Sequence, residues 1–132
     1  MTATVSPYVA QLRSHAHPGG GWPYYPGRQA RLEPTIWAML ALGAAGDPGD
    51  LRALDAARDF LWRAAGQDGL LRDSGIAEPN LAWNGLALLA GRLAMPDDTR
   101  LSRLAAAVAM ARGERLDLLA GRGLRHDAID DC

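Results

Sequence analysis

Any chemistry in this sequence has to come from carboxylates, arginines and aromatic rings gathered just ahead of two apolar runs. Glu33 and Glu78 each precede a proline and then a stretch rich in Leu and Ala that carries one tryptophan, Trp37 in the first and Trp83 in the second. Two carboxylates brought to one rim can divide acid and base work. An acid beside a helix N-terminus is also favoured by the helix dipole, and that simpler role is the expected one. Arg28 and Arg31 stand in the loop before the first run, where two guanidiniums can hold a diphosphate or sit solvated at the surface. Trp22, Tyr24 and Tyr25 fall in the same loop and are expected near the mouth of a cavity. Trp37 and Trp83 offer π-faces to a cation or an apolar ligand, although rings at helical spacing are most simply core. His15 and His17 alternate, but no third ligand is evident, so no metal and no cofactor are expected.

The elements that must position these groups follow from local signals. Pro7 to about His15 reads as a short helix, with Tyr8, Val9 and Leu12 at one-face spacing. Gly19 to Gly21 permit a sharp turn that presents Trp22 for packing. A second helix is expected from Glu33 to about Ala44, nearly all apolar and closed by Gly43 and Gly46. Asp47-Pro48-Gly49-Asp50 is a restart signal for a third helix reaching about Ala65, with Leu51, Leu54, Leu61 and Ala65 on its apolar face. A fourth, apolar all round and therefore expected to be buried all round, runs from Pro79 to about Ala94. Met95-Pro96-Asp97-Asp98 ends it and caps a fifth helix, which carries Leu101, Leu104, Val108 and Ala111 as a stripe and closes at Gly113. A short segment from Glu114 to Ala120 and a tail to Cys132 follow.

The grammar repeats. Gly21 to Gly69 is a step of 48 and Glu33 to Glu78 a step of 45, which lies in the range of helical-hairpin repeats. Gly123-Leu124 and Asp130-Asp131 look like the start of a third copy, so the sequence stops where another apolar helix is expected. Amphipathic helices alternate with all-apolar ones, which implies two layers, the apolar helices inside. The reading is all-α: one domain, residues 1–132, of about two and a half stacked antiparallel hairpins, an incomplete α/α toroid.

Composition narrows the function classes. With 48% hydrophobic and 22% charged residues the chain has a globular balance. A net charge of −1 gives no electrostatic footprint for nucleic acid. All 14 basic residues are arginine, which excludes Schiff-base chemistry on lysine. Cys132 is the single cysteine and allows no internal disulfide. No apolar run reaches the roughly 18 residues of a membrane span and no basic-plus-apolar leader is visible, so a cytoplasmic protein is expected.

These residues resemble the repeat of the squalene cyclase and protein prenyltransferase superfamily. In that family a turn of the type Gln-x-x-Asp-Gly-Gly-Trp precedes an inner helix rich in Thr, Ala and Leu. His15-Ala-His-Pro-Gly-Gly-Gly-Trp22 leading to Glu33–Leu42 is similar to one repeat, and Phe60 to Leu70 leading to Leu81 onward to a second. The first copy lacks the Gln and the second lacks the Trp. The resemblance implies an α/α toroid and a terpenoid setting. The Asp-x-Asp-Asp acid of the cyclases has no match, since Asp127, Asp130 and Asp131 have another spacing. Asp130-x-Cys132 matches the Asp-x-Cys pair that binds zinc in prenyltransferases, without the distant His. The expected function is thus a catalytically incomplete repeat module that binds an isoprenoid-like apolar ligand or a partner chain, self-association through Leu101–Leu119 included. The alternatives are a fragment or subunit of an active cyclase and a non-catalytic interaction scaffold.

Overall fold

A computed structural model describes residues 6–111; the expectations for Glu114–Ala120 and the tail, with Asp130 and Cys132, lie outside the described residues. Four helices have defined bounds: α1 (Ser6–Ser14), α2 (Leu32–Ala45), α3 (Leu51–Arg63) and α4 (Leu81–Ala94). A fifth, α5, is helical over 100–111. Among the described residues there is no strand, only two isolated bridges, Trp22 with Arg31 and Ala65 with Leu71. The protein is all-α.

Each boundary has a local cause. Gly46 closes α2 in the left-handed region, φ 69°, its N–H bonding to the Leu42 carbonyl. Asp47 then accepts from the Gly49 N–H and starts a single 3-10 turn, Pro48–Asp50, that leads into α3. Asn80 caps α4 through Trp83 N–H. Pro79 therefore precedes α4 and does not open it, whereas Pro34 lies inside the first turn of α2, where a missing N–H costs nothing.

The α2 helix packs along α4 and across α3, and the core gathers around Leu32, Ile36, Met39 and Leu42 of α2, Leu54 and Leu61 of α3, and Leu101 and Leu104 of α5. At the α2–α4 crossing a Cβ on Gly43 would lie 3.0 Å from the Ala94 backbone nitrogen, so the glycine sets the closeness of the two helices. Three ties lock the outer elements on. The Trp22 indole N–H donates to the Leu12 carbonyl. Arg13 forks onto buried Asp50 at 2.6 and 2.9 Å. The Trp62 indole N–H donates to Asp98, and Arg100, itself paired with Asp98, lies 5.2 Å over the Trp62 ring.

Two burial expectations are corrected. Leu51 and Ala65 of the expected α3 face are exposed, because α3 turns Leu54, Ala57 and Leu61 inward and ends at Arg63, before Ala65. The α4 helix is not buried all round: Leu89 is 52% and Leu93 46% exposed, since α2 and α5 cover only part of its circumference. The stripe of α5 runs the other way, with Leu101 and Leu104 fully covered, so this part of the expected association surface is already spent inside the fold.

Candidate functional site

The repeat is sharper in space than in sequence. Trp22 N–H donates to Thr35 Oγ1 at 2.8 Å, and 49 residues later Leu71 N–H donates to Asn84 Oδ1 at 2.7 Å. The bond His17 N–H to Gly21 carbonyl returns as Gly66 to Leu70, and Gly20 N–H to His17 carbonyl returns as Gly69 to Gly66, again 49 apart. Gly20 and Gly69 both have positive φ, 105° and 86°, so the two turns need glycine at the same place. The helices α2 and α4 begin and end 49 residues apart. A polar residue in the first turn of each apolar helix thus satisfies the backbone of the loop that feeds it; Asn84 also donates to the Leu71 and Asn80 carbonyls.

This register corrects the pairing of the two carboxylates. Glu33 lies within the first turn of α2, whereas Glu78 lies three residues ahead of Leu81, so the positional counterpart of Glu33 is Ala82. Both acids nevertheless sit at the N-terminal end of their helices. Glu33 accepts from the Tyr24 hydroxyl at 2.7 Å and from the Trp37 indole N–H at 3.4 Å. Desolvation of the Tyr24 hydroxyl, followed by that hydrogen bond, pushes the phenol pKa up to about 12, so Tyr24 is a neutral donor at physiological pH.

Asp73, which sequence reasoning missed, joins the two repeats. Its Oδ1 accepts from Leu32 N–H at 3.0 Å, capping α2 from 41 residues away, and its Oδ2 accepts from Arg31 at 2.7 and 3.0 Å. Burial alone would raise this carboxyl; the Arg31 guanidinium and the N–H groups of Leu32 and Ser74 outweigh it and hold Asp73 below the usual carboxylate range. The Arg31 guanidinium also lies 5.8 Å over the Tyr24 ring. No local pattern announces such a cap: Arg31 at the start of α2 provides no side-chain cap, and the acid that does lies 41 residues on.

Between these loops is a cleft of about 360 Å³, walled by Tyr24, Arg31, Asp73, Glu78 and Trp83. A second recess of about 410 Å³ shares Tyr24 and Arg31 and adds Tyr25 and Arg28. His15, His17 and Arg28 border a third, of about 290 Å³. His17 Nδ1 accepts from Gly19 N–H, a local turn bond, and no cluster of three potential metal ligands occurs among the described residues.

The fold therefore brings Tyr24, Arg31, Glu78 and Trp83 to one cleft, with Glu33 bonded to its edge and Tyr25 and Arg28 alongside. Trp22 is not among them: it is 2% exposed, because its backbone and indole are both committed to the core. Trp37 departs from the core-packing expectation in the other direction, at 48% exposure, on the side of α2 opposite its buried face. Trp83 divides its surface, packing partly on the core and partly on the cleft.

No curated protein and no solved structure matches the chain. A family model, the squalene-hopene cyclase N-terminal domain, matches residues 2–70, which cover α1, the Trp22 loop, α2, α3 and the turn opening the second repeat. That span is more than half of the sequence, and the chain belongs to the squalene-hopene cyclase N-terminal domain family.

Proposed function

We propose that this chain is a cyclase-type repeat module of two to three hairpins that offers an apolar wall to an isoprenoid-like ligand and does not itself perform the cyclisation. The observation that carries the reading is the open side of the apolar helices. Trp37, Ala41 and Ala44 on α2, and Leu86, Leu89 and Leu93 on α4, form stripes of which Trp37, Leu89 and Leu93 are each about half exposed. Water-facing rows of this kind on adjacent helices are surfaces for an apolar ligand or partner. Tyr24, Tyr25, Arg28, Arg31, Glu33, Glu78 and Trp83 border one end, where a polar head group would meet them. The sequence supplies no Asp-x-Asp-Asp acid, so protonation of an alkene has no donor of the family's type here. A cytoplasmic setting belongs to the same proposal; no helix among the described residues is long and apolar enough to cross a membrane.

Squalene or farnesol dispersed in mild detergent, titrated against intrinsic tryptophan fluorescence, tests this reading. Saturable quenching that Leu89→Asp weakens, with no cyclised product by gas chromatography, is the expected result. Product formation would overturn the non-catalytic part, and unsaturable quenching the ligand part.

A partner chain along α4 is the second reading, and one observation favours it. Leu32, Ile36 and Met39 of α2 are buried, whereas their counterparts Leu81, Gly85 and Leu88 of α4 are only half-buried. The flank of α4 that a further helix would cover is therefore open. Light scattering across a concentration series, with Leu93→Arg as control, separates this from a ligand-only wall.

A further inference from the structure

We infer that the cleft between the Trp22 and Leu71 loops binds a small organic cation, a quaternary or tertiary ammonium of about the size of choline, between the Trp83 ring and the Glu78 carboxylate. The inference concerns this rim cleft and does not depend on the apolar stripes. Two aromatic–carboxylate pairs face the cleft. In the first, Tyr24 with Asp73, the cation is already present: the Arg31 guanidinium lies over the Tyr24 ring and forks onto Asp73. In the second, Trp83 with Glu78, the described residues supply no cation. The position that carries Arg31 in the first repeat carries the neutral Asn80 in the second, which is engaged in capping α4.

The charges around the cleft do not cancel. Arg31 and Asp73 neutralise one another, and so do Arg72 and Asp68, which share bonds of 2.8 and 2.9 Å while the Arg72 Nε–H donates to the Ala77 carbonyl. The positive field of Arg72 reaches Glu78, yet its donors are spent on Asp68, Leu70 and Ala77. Glu78 makes no hydrogen bond or ion pair among the described residues, and Glu33 bonds only to the neutral Tyr24 and Trp37. The Glu78 carboxylate therefore remains uncompensated beside the Trp83 wall, in a space of about 360 Å³ with Ile76 and Pro79 as its apolar lining, while Glu33 stands outside at the edge. An ammonium with alkyl substituents matches all three features, whereas an anion would meet Glu78.

Choline chloride and its neutral carbon isostere 3,3-dimethyl-1-butanol, titrated into the purified full chain and followed by the tryptophan indole resonances, test the inference. Choline should saturate and shift one indole signal, which Trp83→Leu removes. The isostere, and choline with Glu78→Gln, should each bind about five- to ten-fold more weakly. Glu78 is exposed, so its substitution leaves the fold intact, as circular dichroism will show. Phosphatidylcholine vesicles distinguish the source: co-sedimentation that Glu78→Gln abolishes means the cation is a lipid head group, and its absence beside choline binding means a free one. Failure of choline to saturate, equal binding of the isostere, or an unchanged affinity in Glu78→Gln overturns the proposal.

Discussion

The two repeats share their hydrogen bonds and differ in what surrounds them. In the first, Trp22 fills the space under the turn, its indole ties down α1, and α2 packs on both α3 and α4. In the second, Leu71 stands where Trp22 stood, Asn84 replaces Thr35 and repeats its bonds to the loop and the helix start, and Leu81, Gly85 and Leu88 on one flank of α4 are only half-buried. The lesson is that the turn-to-helix clamp is independent of the large ring that accompanies it in the first copy. The clamp sets the geometry of each hairpin; the ring sets how firmly the neighbouring helix is held.

The largest effect is expected at that ring. Trp22→Ala should cost about 3–5 kcal/mol, and it should free α1 as well, because the bond to the Leu12 carbonyl goes with the indole. Leu71→Ala should cost less, about 2–3 kcal/mol, and leave α1 in place. Chemical denaturation gives the energies and amide exchange over Ser6–Ser14 the fate of α1; equal losses in both readouts would erase the distinction between the copies.

Acid should act next, through the tie that runs from α3 to the loop before α5. The Arg100 guanidinium, with the Arg100 N–H and the Trp62 indole, overcomes burial and holds Asp98 at about 2, below its ordinary 3.8. The folded value lies under the unfolded one, so the stabilisation is complete above pH 3.8 and is lost as pH falls toward 2. It amounts to at most about 2 kcal/mol at neutral pH, reduced by solvent screening at the half-exposed Arg100. Asp73, also held low, contributes in the same direction. Asp98→Asn should flatten the stability profile between pH 4 and 2, measured by urea unfolding; an unchanged slope would remove the tie from the account.

The smallest effect contrasts two helical glycines. A Cβ at Gly43 meets the Ala94 backbone, whereas at Gly85 nothing lies within 4 Å. Gly43→Ala should therefore destabilise by about 1–2 kcal/mol, and Gly85→Ala should stabilise by about 0.5–1 kcal/mol through helix propensity. Thermal melts of the pair read the difference in enclosure between α2 and α4, and the same sign at both sites would mean that the two helices are equally packed.

Much of this hairpin order was legible in the sequence because local chemistry writes it. Gly46, Asp47-Pro48 and Asp98 stop or start helices by bonds to residues within four positions, and the apolar periodicity found Leu54 and Leu61 of α3 and Leu101 and Leu104 of α5 in the core while misplacing Leu51 and Ala65. The Glu-Pro step of 45 differs from the spatial repeat because Glu33 lies inside α2 and Glu78 ahead of α4. Proline is tolerated both ahead of a cap and inside the first turn, so Pro34 and Pro79 occupy different places, while the pairs Trp22–Thr35 and Leu71–Asn84 fix the true period of 49. Of the site, the aromatic loop and Trp83 were visible by type. Asp73 was not, since its meaning depends on Leu32 and Arg31 standing beside it after 41 residues of intervening chain. The exposure of Trp37 was equally hidden: periodicity says that a ring is on a helix face and leaves open what covers that face.

One substitution between the copies bears on growth of the stack. Arg92 occupies the position that Gly43 holds in α2, 49 residues earlier. Gly43 admits the backbone of the next helix to touching distance, and a long charged side chain in its place holds any following helix away. Hairpins that stack by translation have unlike ends and, were both ends fully compatible, copies would add head to tail into an open filament. Arg92 makes the two ends unlike, so a helix set on the α4 flank in the α2–α4 register would meet a guanidinium where α4 meets a glycine.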